Sequence, residues 1–206
     1  DEAALGADQT VLDLGFGFAE QDLHWVKTRN VAKIIGIDIS ESHVEKARHR
    51  MAQHGLEGRI DLRLGQAESI PLEDASVDRV VALESAFHFQ TRHAFLREAY
   101  RVLKPGGRIA IADILPTPGT PRPSLWDKAV LNLWAIPFDN VYDRNEYCER
   151  MEAIGFANVR GRSIRHHVLP GISQYRRARR AGTPMHDVVV ALRAQDIEQC
   201  SGGDFW

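Results

Sequence analysis

Short apolar runs and polar segments with helical spacing alternate along the first half of the chain. Continuously apolar runs are typical of parallel strands that are buried on both faces. We predict strands over Thr10–Leu14, 33–39, 59–64, Val77–Leu83 and 108–114, with helices over Glu20–Arg29, from 41 to about 54, and over 95–103. These β-then-α units predict an α/β fold with a doubly wound, mostly parallel sheet and helices on both faces.

The pattern changes after Pro116. Residues 117–123 contain three of the nine prolines and predict a surface connection, whereas the apolar segment 125–134 predicts a helix. We interpret this part as a lid or substrate-binding insertion after the fifth strand. Further along, we predict a helix over Arg144–Ile154, a sixth strand over 157–168 and a last helix over about 185–199. We interpret residues 1–206 as one domain, with its core over about 9–115 and its lid and C-terminal part over about 116–206.

Composition narrows the class of protein. The 206 residues are 44% hydrophobic and 26% charged with a net charge of −2, so nothing favours nucleic acid as a partner. Two separate cysteines, Cys148 and Cys200, indicate neither a disulfide framework nor a cysteine-rich metal site. No run approaches the ~20 apolar residues of a membrane span, and the acidic first residues lack the basic region of a signal peptide. We therefore expect a cytoplasmic protein without a membrane partner.

The two ends of the chain raise a separate expectation. The first predicted strand already begins at Thr10, which leaves no segment before it that could cover a site. No clear final strand follows the predicted last helix. We therefore expect the chain to be truncated at both ends, with neighbouring domains of a larger assembly among its candidate partners.

Three motifs fall at the carboxyl ends of predicted strands, where ligands bind to open parallel sheets. The first is the turn of residues 11–19, in which Gly15 and Gly17 let the backbone approach a ligand closely. The second is Asp38, 23 positions after Gly15, where a carboxylate can accept hydrogen bonds from both hydroxyls of a ribose. The third is the segment 65–72, whose polar groups could contact the edge of an adenine.

The ribose acid would suit either a nicotinamide dinucleotide or S-adenosylmethionine (SAM). A dinucleotide fingerprint has glycine or alanine at its sixth position, where this chain has Glu20. An acid there would repel a pyrophosphate. SAM instead carries a positive sulfonium and ammonium. The acidic residues Asp13, Glu20 and Asp22 near this loop would be tolerable or helpful beside such a ligand. The charges favour SAM, and an NAD-dependent oxidoreductase stays open as an alternative.

In the order of these motifs, residues 9–115 resemble the class I SAM-dependent methyltransferases, which have a Rossmann-like fold. The resemblance extends to residues 101–107, before the fifth strand. It implies SAM as cofactor, S-adenosyl-L-homocysteine as its product, and a set of cofactor-binding residues: Asp13, Gly15, Gly17, Asp38, Ile39, Gln66 and Ala67. In this set Asp38 would hold the ribose and Ile39 would pack on the adenine. Gln66 departs from the commoner aspartate, but its amide oxygen can still accept from the adenine amine.

Through residues 84–89 the chain looks like the small-molecule O-methyltransferases of natural-product pathways, including those of polyketide assembly lines. A hydroxyl acceptor must lose its proton, and histidine titrates near neutrality, so His88 is the candidate catalytic base. Glu84 would orient His88 or touch the cofactor. Tyr142 and Tyr147 could lie near the substrate, with ordinary packing as the simpler interpretation. The acceptor predicted by this resemblance is a small-molecule or carrier-bound hydroxyl compound.

Other interpretations stay open beside O-methylation. Methylation at carbon or nitrogen would use the same fold, and a non-catalytic SAM-binding domain would keep the same motifs. The pair His166 and His167 lacks a metal-binding spacing, and we predict no metal site. The arginines of residues 176–180 could recognise a phosphate or carrier group, with a solvated helix face as the simpler interpretation.

Overall fold

A central β-sheet carries the helices in the computed structural model, which describes residues 2–125 and 127–164 and the backbone of 188–196. Its strands are β1 Thr10–Leu14, β2 Lys33–Asp38, β3 Ile60–Leu64, β4 Val77–Leu83, β5 Leu103–Leu115, β6 Phe156–Ser163 and β7 Val188–Asp196. The helices are α1 Glu20–Arg29, α2 Glu41–Gln53, α3 Arg92–Val102, α4 Asp127–Leu133 and α5 Arg144–Ile154.

The strand order is β3-β2-β1-β4-β5-β7-β6, and β1 to β5 all run parallel to one another. The direction in which strands are added to the sheet reverses between β1 and β4. In a doubly wound sheet, the carboxyl ends of the strands at this reversal form the usual ligand crevice. The doubly wound, mostly parallel sheet predicted from the sequence is confirmed.

The two faces of the sheet bury different side chains. On one face Val11 packs in a cluster with Val44 of α2. On the other face Leu12 packs in a cluster with Phe95 of α3 and Met151 of α5. Neighbouring residues of one strand point to opposite faces, so the continuous apolar run of β1 reflects a strand that is covered on both sides.

The predicted bounds of β1, α1, β4 and α5 agree with the structure. The prediction over 185–199 is wrong, because residues 188–196 form strand β7 instead of a helix. This strand runs antiparallel between β5 and β6, so the C-terminal part contributes the antiparallel strand that the sequence did not reveal. Its run of Val188, Val189 and Val190 favours a strand, and the edge of β5 supplies the partner. The sixth strand begins at Phe156 and ends at Ser163. Ile164 lies beyond its end, and residues 165–168 of the predicted range lie outside the described residues.

Across the residues that the structure describes, no helix has the length and apolar character needed to cross a membrane.

Candidate active site

A cavity of about 770 Å³ opens where the carboxyl ends of β1, β2 and β4 meet. It brings together most of the site residues that the sequence predicted. Its lining includes eight of them: Gly15, Gly17, Asp38, Ile39, Gln66, Ala67, Glu84 and His88. It also includes residues that sequence reasoning missed, among them Ser85, Phe89 and Ala135.

The glycine turn after β1 forms the floor of this cavity. Gly15 has a φ of +76°, and a Cβ added there would lie 2.4 Å from the Cβ of Ser85. Ser85 is fixed in turn, because its hydroxyl donates to the carbonyl of Leu14 at 2.7 Å. Gly17 also has a positive φ, +59°, but no atom lies within 4 Å of the position its Cβ would take. Gly15 is therefore required by close packing, whereas Gly17 leaves open space for a ligand.

Asp38, at the end of β2, holds the glycine turn in place. Its Oδ2 accepts from the backbone N–H of Gly17 at 2.9 Å, and its Oδ1 accepts from the N–H of Ser40 at 2.8 Å. Ser40 in turn caps α2 by accepting from the N–H of His43. The next residue, Ile39, leaves 72% of its surface exposed beside this carboxylate. An apolar side chain exposed beside a carboxylate fits a nucleoside, with the ribose at the acid and the base against the isoleucine.

The predicted adenine segment lies at the mouth of the cavity. Gln66 forms an isolated bridge with Ser69 and lines the cavity with Ala67 and Glu68. The segment is tied to α3, because the N–H of Ile70 donates to Glu98 at 2.8 Å. Polar groups of a fixed turn therefore face the cavity beside Ile39.

His88 lies in a short 3-10 turn, Ala86–His88, after β4. Its Nδ1 is 3.0 Å from the carbonyl oxygen of Ala135. Because a carbonyl can only accept, Nδ1 carries the proton in this contact, and Nε2 of the neutral ring keeps its lone pair as a proton acceptor. The carbonyl of Ala135, rather than Glu84, therefore orients the ring. Glu84 lines the same cavity with a φ of +51°, an uncommon conformation for a residue with a side chain.

Asp13 does not line the cavity, in contrast to the expectation that it binds the cofactor. Its carboxylate is fully buried beneath the turn and accepts from the Gln21 amide at 2.9 Å. Burial raises the pKa of Asp13 to about 6, against the lowering effect of the Gln21 hydrogen bond. Burial, together with the neighbouring Asp13, also raises the pKa of Asp22 well above its ordinary value. The structure thus gives Asp13 a place under the glycine turn, because its strand is covered on both faces.

Glu20 also lies outside the cavity lining. Its carboxylate forms an ion pair with Arg50 on α2. The negative charge of Glu20, which was expected to repel a pyrophosphate, is therefore offset by the cation of Arg50. Glu20 alone does not distinguish a site for SAM from a site for a dinucleotide.

Tyr142 and Tyr147 are buried away from this cavity. Both rings pack beside the guanidinium of Arg92, with ring centroids 5.3 Å from its central carbon. Burial raises the pKa of Tyr142 to about 12 and that of Tyr147 well above its ordinary value. Their role is packing around a buried arginine, which the simpler interpretation anticipated.

No group of three or more metal-ligating side chains comes together within the described residues. The arginines of 176–180 and the pair His166 and His167 lie outside those residues.

Comparison with known proteins assigns a family to this fold and site. The family described as "Methyltransferase domain" matches residues 12–111. This range contains the glycine turn, Asp38 and His88. Residues 12–111 form a methyltransferase domain. The methyltransferase domain thus includes every cavity residue that the sequence predicted.

Curated relatives of the methyltransferase domain include enzymes named for erythromycin and rifamycin. The chain is 35% identical over 176 residues to Erythromycin 3''-O-methyltransferase from Saccharopolyspora erythraea, which covers 82% of this chain and 57% of that protein. It is 40% identical over 114 residues to 27-O-demethylrifamycin SV methyltransferase from Amycolatopsis mediterranei, which covers 55% of this chain and 42% of that protein. The chain therefore spans less than two thirds of the length of these relatives.

Solved structures share the fold. Geranyl diphosphate C-methyltransferase from Streptomyces coelicolor superposes with a TM-score of 0.81 at 18% identity, covering 96% of this chain and 76% of that one. Together with the family match, these findings confirm the resemblance to SAM-dependent methyltransferases and the Rossmann-like fold.

Proposed function

We propose that this chain transfers a methyl group from SAM to a hydroxyl group of a small natural product. The observation that carries the proposal is that one cavity joins a nucleoside-type wall, Asp38 and Ile39, to a histidine whose Nε2 is free to accept a proton. A nucleoside wall alone would serve many ligands. The proton acceptor beside it adds what a hydroxyl acceptor needs.

The residues of the cavity suit SAM in particular. The open space at Gly17 would admit the amino acid part, Asp38 would hold the ribose, and Ile39 with Gln66 and Ala67 would enclose the adenine. When bound, SAM supplies a methyl group on a positively charged sulfur that a nucleophile can displace directly. Much of the rate then comes from alignment, since well-oriented partners can gain ~7–11 kcal/mol.

His88 would act on the acceptor. Its Nε2 would take the hydroxyl proton while the oxygen forms its bond to the methyl carbon and the carbon–sulfur bond breaks. A positioned base supplies about 100- to 10,000-fold in rate. The ring is preset for this task, because the Ala135 carbonyl fixes the proton on Nδ1.

The segment 116–140 would form the acceptor side of the cavity as a lid. Ala135 lines the cavity, and the helix just before it, α4, has no buried residue. Val130 and Leu133 of this helix are exposed, and so is the next residue, Trp134. An apolar surface beside the cavity suits a largely hydrocarbon acceptor, and the two relatives described above are named for natural products, erythromycin and rifamycin.

The first experiment measures methyl transfer from labelled SAM to a panel of small hydroxylated compounds, offered free and attached to a carrier protein. We expect His88→Ala to lower turnover about 100- to 10,000-fold and to leave SAM affinity, measured by calorimetry, within about twofold. The control is His93→Ala, an exposed histidine on α3.

Each outcome separates one part of the proposal. Absence of SAM binding, or preferential binding of NAD, would refute the proposed cofactor. SAM binding without any transfer would indicate a non-catalytic domain. A product methylated at carbon or nitrogen would show that the acceptor is not a hydroxyl. Full turnover in His88→Ala would refute the role of His88 as the base.

A further inference from the structure

A buried polar cluster lies behind the 3-10 turn that carries His88. Its centre is Arg92, which is only 1% exposed and whose Nε lies 2.8 Å from Oδ2 of the fully buried Asp113 on β5. The Nη1 of Arg92 donates to the backbone carbonyl of Asn140, and its Nη2 donates to that of Ile114. The buried charge is therefore paired and hydrogen-bonded, as a charge out of contact with water must be.

Asn140 holds the backbone on the C-terminal side of His88. The carbonyl of Phe89 accepts from the side-chain amide of Asn140 at 2.6 Å. The residue that follows His88 is therefore fixed in place by Asn140, whose own carbonyl accepts from the guanidinium of Arg92.

The same cluster holds the segment that orients the imidazole. Asn140 is 1% exposed, and its Oδ1 accepts from the backbone N–H of Arg92 at 2.9 Å. Five residues earlier in the same segment, the carbonyl of Ala135 contacts His88 Nδ1. One asparagine therefore joins the turn that bears the base, the start of α3 and the segment that selects the tautomer of the base.

We propose that Asn140 and Arg92 are positioning residues for His88, setting the direction of its Nε2 toward the acceptor. This inference rests on the proposed role of His88 as the base. Stability alone does not require such a cluster, because well-packed apolar residues can replace a buried ion pair at no loss. The amide of Asn140 ends instead on Phe89, the residue after His88, where a small displacement would change the direction of Nε2.

The test is a double-mutant cycle between Asn140 and His88. Asn140→Ala removes the amide that holds Phe89 and should lower kcat about 10- to 100-fold, the size expected for a misplaced catalytic group. The KM for SAM should stay within about twofold, and the limb of the pH profile of kcat/KM that reports the base should shift. In the His88→Ala background, Asn140→Ala should cause no further loss, because residues that act through one another are not additive.

Two variants guard against a trivial loss of folding. In its ionised form, Asn140→Asp keeps an acceptor for the Arg92 N–H but replaces the donor to Phe89 by a carboxylate oxygen, so it should still lower kcat, and circular dichroism with thermal melts measures whether it folds. Asn145→Ala, at an exposed position in the first turn of α5, is the matched control and should match the wild type.

The outcomes separate this inference from the proposed function. Additive losses in the double variant, or unchanged kcat and pH profile in folded Asn140→Asp, would overturn the positioning role and leave the base intact. Full turnover in His88→Ala would refute the base, and a kcat loss in Asn140→Ala alone would then contradict positioning through His88.

Discussion

Asp38 combines an observed structural role with a proposed role in binding the cofactor. The sequence predicted a ribose ligand, and the structure adds that the same carboxylate holds the N–H groups of Gly17 and Ser40. A carboxylate has about four lone-pair positions, so these two contacts leave room for ribose hydroxyls. The glycine turn and the proposed ribose site therefore depend on one side chain.

We expect Asp38→Asn to weaken SAM binding about 10- to 100-fold, because a hydrogen bond to a charged group contributes ~1.5–3 kcal/mol. Calorimetric titration with SAM measures the change. Asp61→Asn, which removes a surface carboxylate paired with Arg63 on the same strand, β3, should leave the affinity unaltered. Equal affinities in wild type and Asp38→Asn would show that this carboxylate does not contact the cofactor.

Helix α4 is the element whose surroundings least explain its sequence. It is short and none of its residues is buried, yet Leu133 leaves 84% of its surface exposed. Exposed apolar side chains that cluster on a surface commonly mark a binding region. Because α4 lies just before Ala135, which lines the cavity, we propose that its apolar residues contact an acceptor that enters the cavity.

We expect Leu133→Asn to raise the KM for the acceptor about tenfold, which corresponds to losing part of the ~1.5–3 kcal/mol of a buried leucine. The melting temperature should stay unchanged, since exposed substitutions rarely exceed ~0.5 kcal/mol. SAM affinity should also stay constant. Steady-state kinetics with varied acceptor make the measurement, and an unaltered KM would contradict a role for α4 in acceptor binding.

Carboxyl groups whose pKa values are shifted in opposite directions affect the stability of the whole molecule. Burial raises the pKa of Asp13 and Asp22, whereas Asp61 and Glu98 have lowered pKa values because of hydrogen bonds from Arg63 and Arg101. A raised pKa stabilises the fold at low pH, and that contribution is lost as the pH rises through the folded-state pKa. A carboxyl group with a lowered pKa has the opposite effect. It stabilises the fold at neutral pH, and that contribution is lost as the pH falls through the folded-state pKa.

We expect Asp22→Asn to gain stability over the wild type as the pH rises from about 4 to about 7. The variant removes one of two carboxyls that cannot both ionise without cost in the core, where the charge of Asp38 further raises the pKa of Asp13. A gain of ~1 kcal/mol would shift the melting temperature by ~2–4 °C. Thermal melts across this pH range, with exposed Glu45→Gln as control, make the comparison. If the stability difference between Asp22→Asn and the wild type stays constant or shrinks as the pH rises, the raised pKa of the buried pair would be contradicted.

The sequence by itself determined the features that depend on near neighbours. The alternation of apolar blocks gave the bounds of β1, β4, α1 and α5, because periodicity within a segment reflects its own burial. Gly15, Gly17 and Asp38 were found because a tight turn and a strand end impose local requirements. Their place at one cavity followed from the parallel order of the strands.

The tertiary structure decided what depends on distant partners. Strand β7 forms because β5 offers an edge about 80 residues earlier in the chain, a pairing no local pattern contains. Asp13 faces the core because both sides of its strand are covered, so alternation could not tell its direction. Arg92 falls on the apolar face of α3, three residues before Phe95, and that position was a signal of burial. The burial of Arg92 also depends on Asn140, 48 residues away in the chain. A charged side chain can be buried only where hydrogen-bonding and charged partners surround it.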